Sequence, residues 1–164
     1  MSGNADPKPI YVFDTNSFRV TGNYYPDTFP SFWDHFDGLV ESGRLMSVWA
    51  VRKELEAQNT SAHLEHWLHT YQQIFSKPTE QEMACVAGIF QVRHFQQLIG
   101  KKQLLRGGDI ADPWLVARGM TGGGIVVTEE SPKPNAANIP AVCDRFGVRC
   151  VSIREALASE GWRY

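Results

Sequence analysis

The stretch Ile10-Tyr11-Val12-Phe13-Asp14-Thr15-Asn16 decides the fold. Its apolar, aromatic and β-branched run stops at Asp-Thr-Asn, which reads as a buried parallel strand opening into a loop. In open α/β sheets, ligands gather just outside the carboxyl ends of such strands. Asp14 therefore stands where chemistry is expected, and the rest of the chain has to supply its partners. Asp-Thr-Asn is also good turn chemistry, so this stretch alone leaves Asp14 as either a ligand or a strand-end turn residue.

Outward from this strand, helices and strands alternate. Tyr24-Tyr25-Pro26 and Phe29-Pro30 are turn-like, and Phe32, Phe36, Leu39 and Val40 give helical spacing from Ser31 to Ser42, closed by Gly43. Leu45 to Trp49 reads as a second strand, followed by a helix over Ala50 to Gln58. Longer helices are expected over Ala62–Phe75 and Thr79–Leu98, the second opening on a capping box of Thr79 and Glu82. Gly107-Gly108 precedes a helix near Ile110–Arg118, and Gly122-Gly123-Gly124 leads into a strand at Ile125–Thr128. A helix over Ile139–Phe146, a strand at Val148–Val151 and a helix over Ile153–Ser159 complete the chain. This alternation predicts a three-layer α/β/α fold with a mainly parallel central sheet of about four to five strands. Residues 1–9 read as a polar, disordered lead-in without the apolar segment of a secretory signal, and 10–164 as a single domain.

Composition narrows the function. Of the 164 residues 43% are hydrophobic, with nine Phe and five Trp, enough for an aromatic-rich core. A net charge of -2 argues against a general polycation that coats nucleic acid. Between Glu82 and Asp109, however, Arg93, Lys101, Lys102 and Arg106 occur with no acid among them, as either a phosphate-contacting surface or a solvated helix end. Cys85, Cys143 and Cys150 form no metal-type pair and read as reduced thiols of a cytoplasmic protein. His63, His66 and His69 turn gradually around one helix, without the ligand spacing of a zinc site. No phosphate-binding glycine fingerprint and no G-x-S-x-G elbow is present.

Acids instead collect at element ends. Asp14 closes the first strand, Glu54 follows the second, Asp109 and Asp112 flank a helix start, and Glu129 and Glu130 follow the third strand. Asp112 and Asp109 are open to a second reading as helix caps, and Glu54 to one as an exposed partner of Arg52 or Lys53. Strand ends and the starts of following helices share one edge of a parallel sheet, so these carboxylates should converge. Clustered carboxylates cannot all stay ionised without a cation. A hard Mg²⁺ or Mn²⁺ ion resolves that, keeps its waters and bridges to phosphate.

Taken in order, Val12-Phe13-Asp14-Thr15-Asn16, Glu54 in Val51-Arg52-Lys53-Glu54-Leu55, Asp112 in Ala111-Asp112-Pro113-Trp114-Leu115, and Val126-Val127-Thr128-Glu129-Glu130 resemble the PIN-domain signature. The resemblance runs from about residue 10 to 153 and tends toward an uncharacterised PIN-like subfamily related to toxin ribonucleases. It implies a metal-dependent ribonuclease that hydrolyses RNA phosphodiester bonds by in-line attack of water, leaving a 5′ phosphate. Asp14 and Asp112 would be the principal metal ligands, Glu54 would bind metal or orient water, and Asp109 is an additional ligand candidate. Glu130 takes the fourth acidic position ahead of Glu129, while Thr128 and Asn16 would support Asp14. The resemblance further implies a homodimer and a protein antitoxin. Backbone contacts to RNA are expected from Arg52, Lys53, Arg93, Lys101, Lys102 and Arg106. Two other readings stay open: a PIN-like module that binds RNA or protein without cutting, and a phosphatase or phospho-acceptor domain using Asp14 covalently. Asn16, where a phosphatase would carry a second Asp, weighs against the latter.

Overall fold

The computed structural model describes residue 3, residues 5–100 and residues 110–164. Lys101, Lys102, Arg106 and Asp109 lie outside the described residues.

Tyr11–Phe13 form β1, buried on both faces as the continuous apolar run requires. The chain does not then enter a loop. Asp14 caps a helix, α1 (Thr15–Thr21), by accepting a hydrogen bond from the Ser17 amide at 2.7 Å. Aspartate is a strong N-cap because its oxygen satisfies an otherwise orphaned amide, and Asp-Thr-Asn-Ser carries that signal as readily as a turn. There follow α2 (Pro30–Glu41), β2 (Leu45–Val48), α3 (Trp49–Glu56) and α4 (Ala62–Thr70). The long helix expected to Phe75 stops early: a 3-10 turn at Gln72–Ile74 gives way to a two-residue strand, β3 (Phe75–Ser76). A strand that short has no periodicity to read.

The helix expected over Thr79–Leu98 is also divided. α5 (Glu80–Gln91) leads to a 3-10 turn at Arg93–Gln96 and to α6 (Gln97–Gly100). Thr79 caps α5 through the Glu82 amide, but the Glu82 side chain does not return the bond. It is buried and accepts from Arg118 Nη1 at 2.9 Å, on the next helix, α7 (Ala111–Gly122). β4 (Ile125–Val127), α8 (Ile139–Phe146), β5 (Cys150–Val151) and α9 (Ile153–Ser159) end the fold.

All five strands are parallel, in the order β3-β2-β1-β4-β5, so β1 is central. The helices sandwich this sheet in three α/β/α layers. Two glycines set the entry to β4. Gly123 ends α7 in the left-handed region at φ 66°, and a Cβ on Gly124 would stand 2.8 Å from Val12 Cγ2. Aromatic rings fill the core: Phe13 meets Phe18 and Phe36 at centroid distances of 5.4 and 5.6 Å, and Phe36 stacks on Trp67 at 4.8 Å. Each such buried ring stabilises the fold by roughly 1.5–3 kcal/mol. Tyr24 stacks on Phe32 at 4.5 Å, while Trp33 is buried and donates from its indole nitrogen to the Tyr24 carbonyl, so these rings belong to the core. No helix among the described residues is long and apolar enough to cross a membrane.

Candidate functional site

In this topology β1 and β4 lie side by side, pairing Phe13 with Val127. The residues that follow each strand therefore meet at the carboxyl edge. Thr128 Oγ1 donates to Asp14 Oδ2 at 2.5 Å, a contact between residues far apart in the chain. Asp14 Oδ1 takes the Ser17 amide, and the Ser17 hydroxyl in turn donates to the Val127 carbonyl at 3.0 Å. The Thr128 hydroxyl also accepts the Glu130 amide at 3.1 Å. Asp14 is only 3% exposed. Burial pushes its carboxyl above the ordinary value, the Ser17 and Thr128 hydrogen bonds oppose that rise, and the charge of Glu130 adds to it.

Glu54 joins the same edge from α3. Its Oε2 accepts from the Thr15 hydroxyl at 2.5 Å, beside Asp14 in sequence. Thr15 and Ser17 were not among the residues singled out from the sequence; the Asp-x-x-Ser spacing of an N-cap was the available signal. Asp112 lies in the first turn of α7, which runs back to β4 and so starts over the carboxyl edge of the sheet. Ile110 occupies the cap position, so Asp112 is not the N-cap. As the second residue of the helix it still faces the positive end of the helix dipole.

The two glutamates after β4 diverge. Glu130 Oε2 accepts the Ile139 amide at 2.9 Å, at the start of α8, while its charge is felt at Asp14. Glu129 Oε1 accepts the Ile153 amide at 2.9 Å, at the start of α9. Both stabilise helix N-termini. Asn16 is exposed and makes no hydrogen bond to Asp14 among the described residues, so the expected support comes from Ser17 instead. Arg52 is 8% exposed and paired with Glu65 at 2.9 Å and Glu56 at 3.3 Å. Lys53 and Arg93 are exposed.

The donor chemistry suits a hard cation. Asp14 is a buried carboxylate with no cationic partner among the described residues, and each of its oxygens retains acceptor capacity beyond one hydrogen bond. Mg²⁺ needs only one or two carboxylates when water and substrate complete its shell. The described residues contain no group of three His, Cys, Asp or Glu arranged to hold a metal ion, so a full protein cage is not formed by them. A groove of about 1060 Å³ begins at Thr128 and Glu130 and continues past Lys133, Arg145, His94 and Cys150. Asp14, Glu54 and Asp112 border the carboxyl edge rather than line that groove. Cys143 is buried in α8, and its thiol shares a hydrogen bond with that of half-buried Cys150.

One solved structure shares this architecture. VapBC2 from Rickettsia felis, bound to a DNA fragment from its promoter, is similar at a TM-score of 0.51 and 12% identity, covering 87% of this chain and 98% of that one. FitAcB from Neisseria gonorrhoeae is similar at a TM-score of 0.47 and 17% identity, covering 87% and 96%. At 12% identity the likeness to the Rickettsia felis structure is one of fold, and the fold is PIN-like. No curated protein sequence matches the chain. A family model does match, over residues 11–164. The chain therefore belongs to the family described as a domain of unknown function, DUF4411.

Proposed function

We propose that this PIN-like domain is a divalent-cation-dependent nuclease acting on RNA, with Mg²⁺ or Mn²⁺ held by Asp14 and Asp112. The observation that carries the reading is Asp14 itself. It is a buried carboxylate at the end of the central strand, clamped by Ser17 and Thr128, whose charge has no cationic side-chain partner among the described residues. Proteins rarely bury such a charge unpaired, and acids raised by burial gather at functional sites.

The bound cation would supply Lewis-acid charge to a phosphodiester. Everything else falls to the chain. Thr128 fixes one Asp14 oxygen and the Ser17 amide the other, so the carboxylate presents a single orientation. Thr15 holds the Glu54 carboxylate at the same edge, where it would orient water or share the cation. Glu130 adds negative potential and, with Asp109, remains a candidate for further ligation. Lys53, Arg93, Lys101, Lys102 and Arg106 would hold the substrate backbone. A homodimer, a protein antitoxin and a cytoplasmic location accompany the same proposal.

A second reading has a specific basis. One Asp14 oxygen and one Glu130 oxygen already accept helix N-terminal amides, the other Asp14 oxygen takes the Thr128 hydroxyl, and the described residues form no three-ligand group. These favour a PIN-like module that binds RNA or a protein without cutting. One experiment separates the two: labelled RNA with purified protein in Mn²⁺ or in EDTA, beside Asp14→Asn and Asp112→Asn. The nuclease reading expects cutting by the wild type in Mn²⁺ alone. Equal cutting in all conditions would defeat it, and saturable RNA binding without any cutting would favour the module.

A further inference from the structure

Trp49 is exposed where a core residue is expected. It is 38% exposed, and no aromatic ring lies against it among the described residues, whereas the other exposed rings, Tyr25 and Tyr164, contact His63 and Phe32. The β1–β2 register pairs Tyr11 with Leu45 and Val12 with Met46. Continued to the strand ends, it sets Asp14 beside Val48, and Trp49 is the next residue. Neighbouring strands lie about 4.8 Å apart, so the backbone at Trp49 begins one strand away from that of Asp14. The Thr15–Glu54 hydrogen bond fastens α1 to α3 across this gap and fixes Trp49 relative to Asp14. One helical turn on, Lys53 Nζ stands 5.9 Å from the indole centroid.

An exposed indole with an adjoining ammonium is the chemistry that receives a nucleotide. Every base has a π-face that stacks on an aromatic ring, and a lysine beside the ring meets the phosphate of the base so placed. Bases can reach a side chain in this way only where they are unpaired. We propose that Trp49 is a stacking platform for one unpaired base of the substrate, next to the scissile phosphate, with Lys53 contacting that nucleotide's phosphate. This inference rests on the nuclease reading and adds the determinant that selects unpaired over paired RNA.

The test measures KM and kcat for Mn²⁺-dependent cleavage of a single-stranded RNA by wild type, Trp49→Ala and Trp49→Phe. A second substrate carries a run of abasic nucleotides around the cleavage position. Loss of one stacked base should raise KM by about 5- to 150-fold in Trp49→Ala, with kcat within about 2-fold, and Trp49→Phe should recover most of the loss. On the abasic substrate Trp49→Ala and wild type should converge. Thermal unfolding of the three proteins, measured alongside, confirms that each is folded at the assay temperature. If wild type cuts the RNA and Trp49→Ala does so with unchanged KM, the inference fails and the nuclease reading stands. A fall in kcat alone, or a dimer that Trp49→Ala converts to monomer, also overturns it. If wild type shows no cutting that depends on Asp14, both fall together.

Discussion

Thr128→Val tests the clamp on Asp14 with little change of shape. Thr128 is 2% exposed, so the isosteric valine fills the same space while removing the hydroxyl. Two hydrogen bonds go with it: the one donated to Asp14 Oδ2 and the one accepted from the Glu130 amide. The first involves a charged acceptor and contributes roughly 1.5–3 kcal/mol; the second contributes about 1 kcal/mol. The expected loss is therefore about 2.5–4 kcal/mol at neutral pH, or roughly 5–16 °C in Tm for a domain of this size. Thr128→Ser keeps both bonds and loses one methyl, at about 0.5–1.5 kcal/mol.

The two variants should also differ in pH dependence. Asp14 already has its carboxyl raised in the folded state by burial. Between its unfolded and folded pKa the native protein holds more protons than the unfolded chain, so stability contributed here falls as pH rises through that window. Removing the Thr128 donor raises the folded pKa further. The destabilisation of Thr128→Val should thus be smallest at acid pH and grow as pH rises through the folded pKa of Asp14, whereas that of Thr128→Ser should be flat. Thermal unfolding followed by circular dichroism across a pH series reads both. Equal, pH-independent losses in the two variants would refute the clamp.

Further perturbations probe the surrounding structure and the proposed cation. Asp14→Asn removes a buried charge that the fold disfavours, so without divalent cation its Tm should equal or exceed that of wild type. Wild type should gain about 2.7 kcal/mol, roughly 5–11 °C, in Mn²⁺ at a hundred times its Kd, and Asp14→Asn should gain nothing, by differential scanning calorimetry. Glu82→Ala strands Arg118 in the α5–α7 interface and should cost about 3–5 kcal/mol in urea unfolding, whereas Glu82→Leu with Arg118→Met should recover most of that. Gly124→Ala drives a methyl against Val12 Cγ2 and should cost about 1–3 kcal/mol, relieved when Val12 is reduced to alanine.

The sequence exposes most of this fold because hydrophobic patterning is local. Ile139–Phe146 and Ile153–Ser159 are helices with the boundaries their spacing predicts, and β1, β2 and β4 lie in the apolar runs that predict them. β3 escaped because two residues carry no period, and it exists only because Ser47 and Val48 offer it a ladder. α1 escaped because Asp-Thr-Asn serves a turn and an N-cap alike. At the site, the approach of Asp14 to Thr128 follows from strand order, and in the sequence it was implied only by the PIN-domain resemblance. The fates of Arg52, Asn16 and Glu129 were not implied at all, since each depends on which neighbour a long or exposed side chain reaches in three dimensions.

The central claim is that Asp14 holds a divalent cation. Anomalous diffraction from crystals grown in Mn²⁺ tests it most directly. The account predicts a manganese peak about 2 Å from an Asp14 carboxylate oxygen, absent in Asp14→Asn crystals. A peak elsewhere in both proteins, or none at Asp14 at saturating Mn²⁺, would contradict it.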